Sequence, residues 1–125
     1  MKLRALITLL ALTACAVAGE VRHVKSKEAA AILSQGGVAV LDVRTPAEFA
    51  DGHIEGAQNI DFLDEDKFKT EAAKLDKSKT YLVHCQAGGR SSKSLKILQS
   101  LGINNLIHLD DGFGGWSEAG LPVKK

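Results

Sequence analysis

From Val21 onward, short apolar runs alternate with stretches of helical periodicity. Arg22 to Val24 reads as a short edge strand. Ser26 is placed to cap a helix running to about Ser34, whose apolar face is Ala29, Ala30, Ile32 and Leu33, and Gly36-Gly37 ends it. Val38 to Val43 is nearly all apolar, the mark of a strand buried on both faces. Thr45-Pro46 opens a short helix, because proline in the first turn lacks only an N–H that would have no partner there. Asn59-Ile60 forms a further strand, and Asp61 or Asp64 caps a helix over Glu65 to Lys74. Thr80 to His84 is the next strand. A helix from about Arg90 to Leu101 follows, with Leu95, Ile97, Leu98 and Leu101 apolar and Gly102 as its stop. Asn105 to Leu109 is the last strand, then a glycine-rich turn and a short helix around Trp116 to Ala119.

Strands alternating with helices predict one α/β domain over residues 21–125 with a mainly parallel sheet. In such sheets ligands sit beyond the carboxyl ends of the strands, and Cys85 falls there, one residue past Thr80 to His84.

The first 18 residues have a different pattern. Lys2 and Arg4 precede an apolar run from Ala5 to Ala14, broken only by Thr8 and Thr13. This run is short of the roughly 20 apolar residues that span a bilayer. It is expected to be an export signal. Ala16-Val17-Ala18 offers an ordinary cleavage site. Leu12-Thr13-Ala14-Cys15 resembles a lipobox, in which residues 1–14 are removed and Cys15 is lipidated. Either product works outside the cytoplasm, as a periplasmic protein or a lipid-anchored one, and a monomer is expected.

Loss of residues 1–18 removes two cations and no acid, taking the formal charge from +1 to −1. No basic block and too few aromatics are present for a nucleic-acid surface. No spacing among the four histidines and Cys85 suggests a metal site, and no cofactor is expected. With Cys15 discarded or lipidated, Cys85 is the one thiol of the folded part.

Around Cys85 a strand ends, a loop turns through Gly88 and Gly89, and a helix begins. Glycines let successive N–H groups converge into an anion-binding nest. The helix N-terminus adds partial positive charge, and Arg90 brings a full one. Each favours thiolate over thiol. His84 precedes the cysteine, but strand alternation turns its side chain to the other face. His53 has a structural role in its turn, and His23 and His108 are ordinary strand residues. Trp116, with Phe113 and Leu121, plugs the core.

Cys85-x-x-Gly88-x-Arg90-Ser91 after a hydrophobic strand resembles the active-site loop of rhodanese-domain sulfurtransferases. Leu41-Asp42-Val43-Arg44-Thr45-Pro46-Ala47-Glu48-Phe49, with Gly52-His53-Ile54-Glu55-Gly56-Ala57, resembles the family's N-terminal signature. Leu109 to Trp116, with Ala119-Gly120-Leu121-Pro122, resembles its C-terminal one, except that Asp111 stands where glycine is common and is expected to adopt a left-handed turn. The resemblance implies a five-stranded sheet with helices on both faces and Cys85 as nucleophile. It implies that Gln86, Ala87, Gly88, Gly89 and Arg90 bind the substrate, with Arg90 orienting an anionic donor. Ser91 supports the loop backbone. Asp42 and Arg44 stand nearby, Arg44 either adding positive potential or, the favoured reading, held in an ion pair. The implied reaction moves sulfur from a donor such as thiosulfate to cyanide or a thiol through a Cys85 persulfide.

Two other functions compete. A persulfide carrier serving a protein acceptor is consistent with Gln86 and Ala87 standing where some thiosulfate-using relatives carry cations. A cysteine phosphatase or arsenate reductase needs five residues between cysteine and arginine, whereas four separate Cys85 from Arg90.

Overall fold

The computed structural model describes residues 20–125, so the export-signal readings and Cys15 fall outside the described residues. Five strands and five helices alternate along the described residues: β1 (Val21–Val24), α1 (Ser26–Ser34), β2 (Val38–Asp42), α2 (Pro46–Ala50), β3 (Gln58–Asn59), α3 (Glu65–Ala72), β4 (Thr80–His84), α4 (Gly89–Ser100), β5 (Leu106–Leu109) and α5 (Gly112–Glu118). The sheet order is β1-β5-β4-β2-β3, and every pairing in it is parallel. The strand carrying the cysteine loop is therefore central, with a neighbour on each side. No helix among the described residues is long and apolar enough to cross a membrane.

Side chains alternate between the two faces of the sheet, as a period of two requires. Leu41, Tyr81, Val83, Cys85 and Leu106 enter one core, closed by Phe68 and Ala72 of α3 and by Leu95 and Leu98 of α4. Val40, Leu82 and Ile107 enter the other, closed by Ala29 of α1 and Trp116 of α5. Helices thus cover both faces, and Cys85 lies on the α4 side. Trp116 is buried and donates its indole N–H to Pro122 O at 2.8 Å.

Local chemistry accounts for the element ends. Thr45 caps α2 in a reciprocal box: its hydroxyl accepts from Glu48 N, while Glu48 Oε1 accepts from Thr45 N at 3.0 Å. Asp64, rather than Asp61, caps α3. Two expectations change here. Ser26 is the first residue of α1 rather than its cap, because its hydroxyl is committed to Asp111 Oδ1 at 2.9 Å. Asp111 is not left-handed, with φ −91°, because the turn is taken by Gly112 at φ +65° and α5 starts there, four residues before Trp116. The aspartate that replaces the usual glycine instead ties α5 to the first turn of α1.

Candidate active site

The loop after β4 is braced from both sides. The amides of Phe113 and Gly114, at the start of α5 and so without intrahelical partners, donate to Cys85 O at 2.8 Å and Gln86 O at 3.0 Å. This approach is so close that a Cβ on Gly112 would lie 2.4 Å from Gln86 O. Gly88 has φ +111°, and a Cβ on it would meet Asp110 O at 2.7 Å. Gly89, expected to share this role, has no positive φ and open space at its Cβ position. One glycine, not two, shapes the cradle.

Cys85 is 1% exposed. Its Sγ accepts from Gly88 N at 3.1 Å and from Ser91 Oγ at 3.3 Å. Burial pushes the thiol pKa up, but the Ser91 hydroxyl and the amides of Ser91, Gly88 and Ala87 outweigh it, and the net shift is downward. The start of α4 adds its dipole to this effect. The site is therefore built to hold a sulfur anion. Ser91 does more than support the backbone. Besides Sγ, its hydroxyl meets Gly88 O at 3.2 Å and His108 Nε2 at 2.8 Å.

The Arg90 guanidinium forms a two-pronged pair with Glu48, at 2.8 and 3.0 Å. Glu48 raises the Arg90 pKa, and the nearby Cys85 adds to the effect. The Arg90 hydrogen bonds hold the Glu48 carboxyl at about 2, below its ordinary value. The pair therefore remains ionised until the pH falls towards about 2. The hydrogen bonds to the Cys85 sulfur come from a local amide and a hydroxyl.

Arg44 is 2% exposed and fully engaged. Nε donates to Asp42 Oδ1 at 3.0 Å, Nη2 to Asp42 Oδ2 at 2.7 Å and to Gly52 O at 2.8 Å, and Nη1 to Gln86 Oε1 at 3.4 Å. Its carbon Cζ stands 4.1 Å from the centre of the Phe113 ring. One side chain thus joins the end of β2, the cysteine loop and α5. Outside it lies an open cleft of about 510 Å³ lined by Arg44, Glu48, Asp51, Gln86, Phe113 and Glu118, among others. Its charged lining is Arg44, paired with Asp42, Glu48, paired with Arg90, and the carboxylates of Asp51 and Glu118. Of the loop residues expected to bind substrate, Gln86 lines this cleft. Ala87 and Gly89 are exposed on the loop, Gly88 is buried, and Arg90 faces Glu48.

His84 is fully buried, with Nδ1 donating to Cys85 O at 2.9 Å and Nε2 3.6 Å from Asp42 Oδ2. Burial drives its pKa down against the pull of Asp42, which favours the neutral ring. It holds the loop carbonyl and does not touch the sulfur. His53 Nδ1 donates to Phe49 O at 3.0 Å, and its ring stacks on the Phe49 ring at 3.9 Å.

His23 and His108 are not ordinary strand residues. They face each other in register across β1 and β5, with their Nδ1 atoms 3.0 Å apart. With Asp110 they bring three possible cation ligands within 4.8 Å of one another. Here the two ring nitrogens are joined to each other and Asp110 is paired with Lys25 at 3.0 Å, so the group is a hydrogen-bonded cluster.

A buried cysteine thus stands at the carboxyl end of the central parallel strand, with an amide and a hydroxyl from the start of the following helix aimed at its sulfur. The family model described as "Rhodanese-like domain" matches residues 25–119, and the chain belongs to that family. "Thiosulfate sulfurtransferase 16, chloroplastic" of Arabidopsis thaliana is 33% identical over 93 residues, covering 67% of this chain and 78% of its own. An uncharacterised Synechocystis protein is 34% identical over 91 residues, covering 73% of this chain, which spans only about half (49%) of that relative. The crystal structure of a rhodanese-related protein from Thermoplasma volcanium superposes with a TM-score of 0.71 at 29% identity, covering 82% of this chain and 97% of that one.

Proposed function

We propose that this domain transfers a sulfane sulfur through a persulfide on Cys85. The observation that carries the reading is the pair of donors, Gly88 N and Ser91 Oγ, aimed at a buried Sγ. In the first step the Cys85 thiolate attacks the outer sulfur of the donor, whose S–S bond breaks. With thiosulfate, sulfite leaves with the bonding pair. In the second step a nucleophilic acceptor, cyanide or a thiol, takes the outer sulfur and Cys85 leaves again as thiolate, stabilised by the same donors. The names of the relatives support the reaction class.

The charge distribution favours weakly charged donors over the thiosulfate dianion. Arg90 and Glu48 neutralise each other, and the cleft beside the loop adds Asp51 and Glu118, while its Arg44 is paired with Asp42. The same acidic rim supports a second reading, a persulfide carrier that exchanges sulfur with another protein. A phosphatase role has less support, since four residues rather than five separate Cys85 from Arg90, and Arg90 is paired with Glu48. With the reading of residues 1–18 as an export signal, we place this chemistry outside the cytoplasm.

Intact mass after exposure to thiosulfate, and separately to a small persulfide such as glutathione persulfide, tests the proposal. One sulfur atom should add to Cys85 and be removed by cyanide or a thiol. No addition from either donor would overturn persulfide chemistry. Addition that no small acceptor can discharge would select the carrier reading.

The Glu48–Arg90 pair makes a separate prediction. Glu48→Gln releases the Arg90 charge towards an incoming anion and should raise kcat/KM for thiosulfate about fivefold, equivalent to about 1 kcal/mol. The value for an uncharged persulfide should stay flat. An equal change with both donors would show that charge was not the cause.

A further inference from the structure

Ser91 Oγ carries one proton and has three neighbours able to accept it: Cys85 Sγ at 3.3 Å, Gly88 O at 3.2 Å and His108 Nε2 at 2.8 Å. Which one receives it depends on His108. If His108 Nε2 carries a hydrogen, the ring donates to Ser91 and the hydroxyl is free to turn to sulfur. If it does not, the hydroxyl turns to His108 and the sulfur loses a donor. The state of His108 depends in turn on its other nitrogen, which meets His23 Nδ1 at 3.0 Å. His108 is 2% exposed, whereas His23 is exposed at the surface. His23 is not among the residues lining the cleft.

We propose that Ser91, His108 and His23 form a relay that carries the Cys85 thiol proton to the surface at His23, away from the cleft lined by Arg44 and Gln86. The inference deepens the persulfide reading, because it concerns how that same thiol ionises. In the thiol state every bond points outward: S–H to Ser91 Oγ, O–H to His108 Nε2, Nδ1–H of His108 to Nδ1 of His23. Ionisation moves one proton along each link. The thiol proton passes to Ser91, the serine proton to His108 Nε2, the His108 Nδ1 proton to His23 Nδ1, and the His23 Nε2 proton to water. Every bond then points inward, and only the sulfur has changed charge.

The buried imidazole changes tautomer but carries no net charge at either end of the relay. That fits its surroundings. Burial lowers the His108 pKa, His23 from β1 and His84 from β4 lower it further, and Asp110 at the end of β5 opposes them while paired to Lys25. Cys85 and Ser91 are the remaining groups facing it from the loop and α4. His108 and His23 touch no reacting atom, so both are positioning residues. The arrangement lets the thiolate form while a ligand or partner fills the cleft.

Imidazole nitrogen NMR of the isotope-labelled protein in metal-free buffer, titrated through the Cys85 midpoint, tests the relay. The midpoint is set independently by the pH dependence of alkylation with iodoacetamide, so no sulfur donor is involved and the result stands whether or not persulfide forms. The protonated nitrogen of His108 should change from Nδ1 to Nε2 in step with Cys85, and the change should vanish in Cys85→Ser. A His108 tautomer that ignores Cys85, or that shifts equally in Cys85→Ser, would overturn the relay. In a second arm, His23→Leu removes an exposed group and should slow alkylation about tenfold one pH unit below the wild-type midpoint, the factor that one unit of pKa represents. An unchanged rate there would also overturn it.

Discussion

Asp42→Ala lowers the free energy of unfolding by about 3–5 kcal/mol, a large share of the roughly 5–15 kcal/mol that holds a domain of this kind together. The expectation rests on what remains after the change. Arg44 stays buried and charged, keeps its bonds to Gly52 O and Gln86 Oε1, and loses both carboxylate oxygens. The cost is that of an uncompensated buried cation, not the net value of the pair. Removing both partners together, as Asp42→Leu with Arg44→Met, should therefore recover much of the loss. Urea unfolding of the single and double variants measures both. A single variant within about 1 kcal/mol of wild type would show that the cation finds water or other partners.

Cys85→Ser abolishes sulfur loading and transfer while leaving the fold intact. The serine oxygen can accept from Gly88 N and Ser91 as the sulfur does, so no buried donor is orphaned, and stability should change by no more than about 1 kcal/mol. A hydroxyl is far less acidic than a thiol and a poorer leaving group. The cradle therefore cannot rescue either step. Transfer assayed beside the unfolding midpoint separates chemistry from stability, and retained transfer would remove Cys85 from the mechanism.

Features set by neighbouring residues were legible in the sequence; those set by distant pairs were not. Thr80 to His84 is a strand because five consecutive residues suit a buried pleat, and its end places Cys85 at the ligand edge of the sheet. The pairing of Arg90 left no local sign, because nothing near it predicts Glu48, 42 positions earlier, as its partner. Gly89 misled for a different reason. Adjacent glycines look equivalent, but only the one whose Cβ would strike Asp110 O is constrained. Ser91 and His108 lie 17 positions apart, so their hydrogen bond has no local signature. A signal for His108 was nonetheless present. It shares the sheet face of Leu106, the face that α4 covers, and a buried imidazole there needs partners.

The depth of the thiol also limits which oxidation products can form. A disulfide requires two Cα atoms to approach within about 4.4–6.8 Å. A cysteine that is 1% exposed and roofed by the Gln86–Gly88 loop does not allow that approach to a second folded chain. Two copies of this domain therefore do not cross-link through Cys85 in an oxidising medium. On the carrier reading, a partner protein would have to present its own cysteine on a projecting loop or tail. The burial that raises the cost of ionising Cys85 thus also keeps the thiol from bulky oxidised partners.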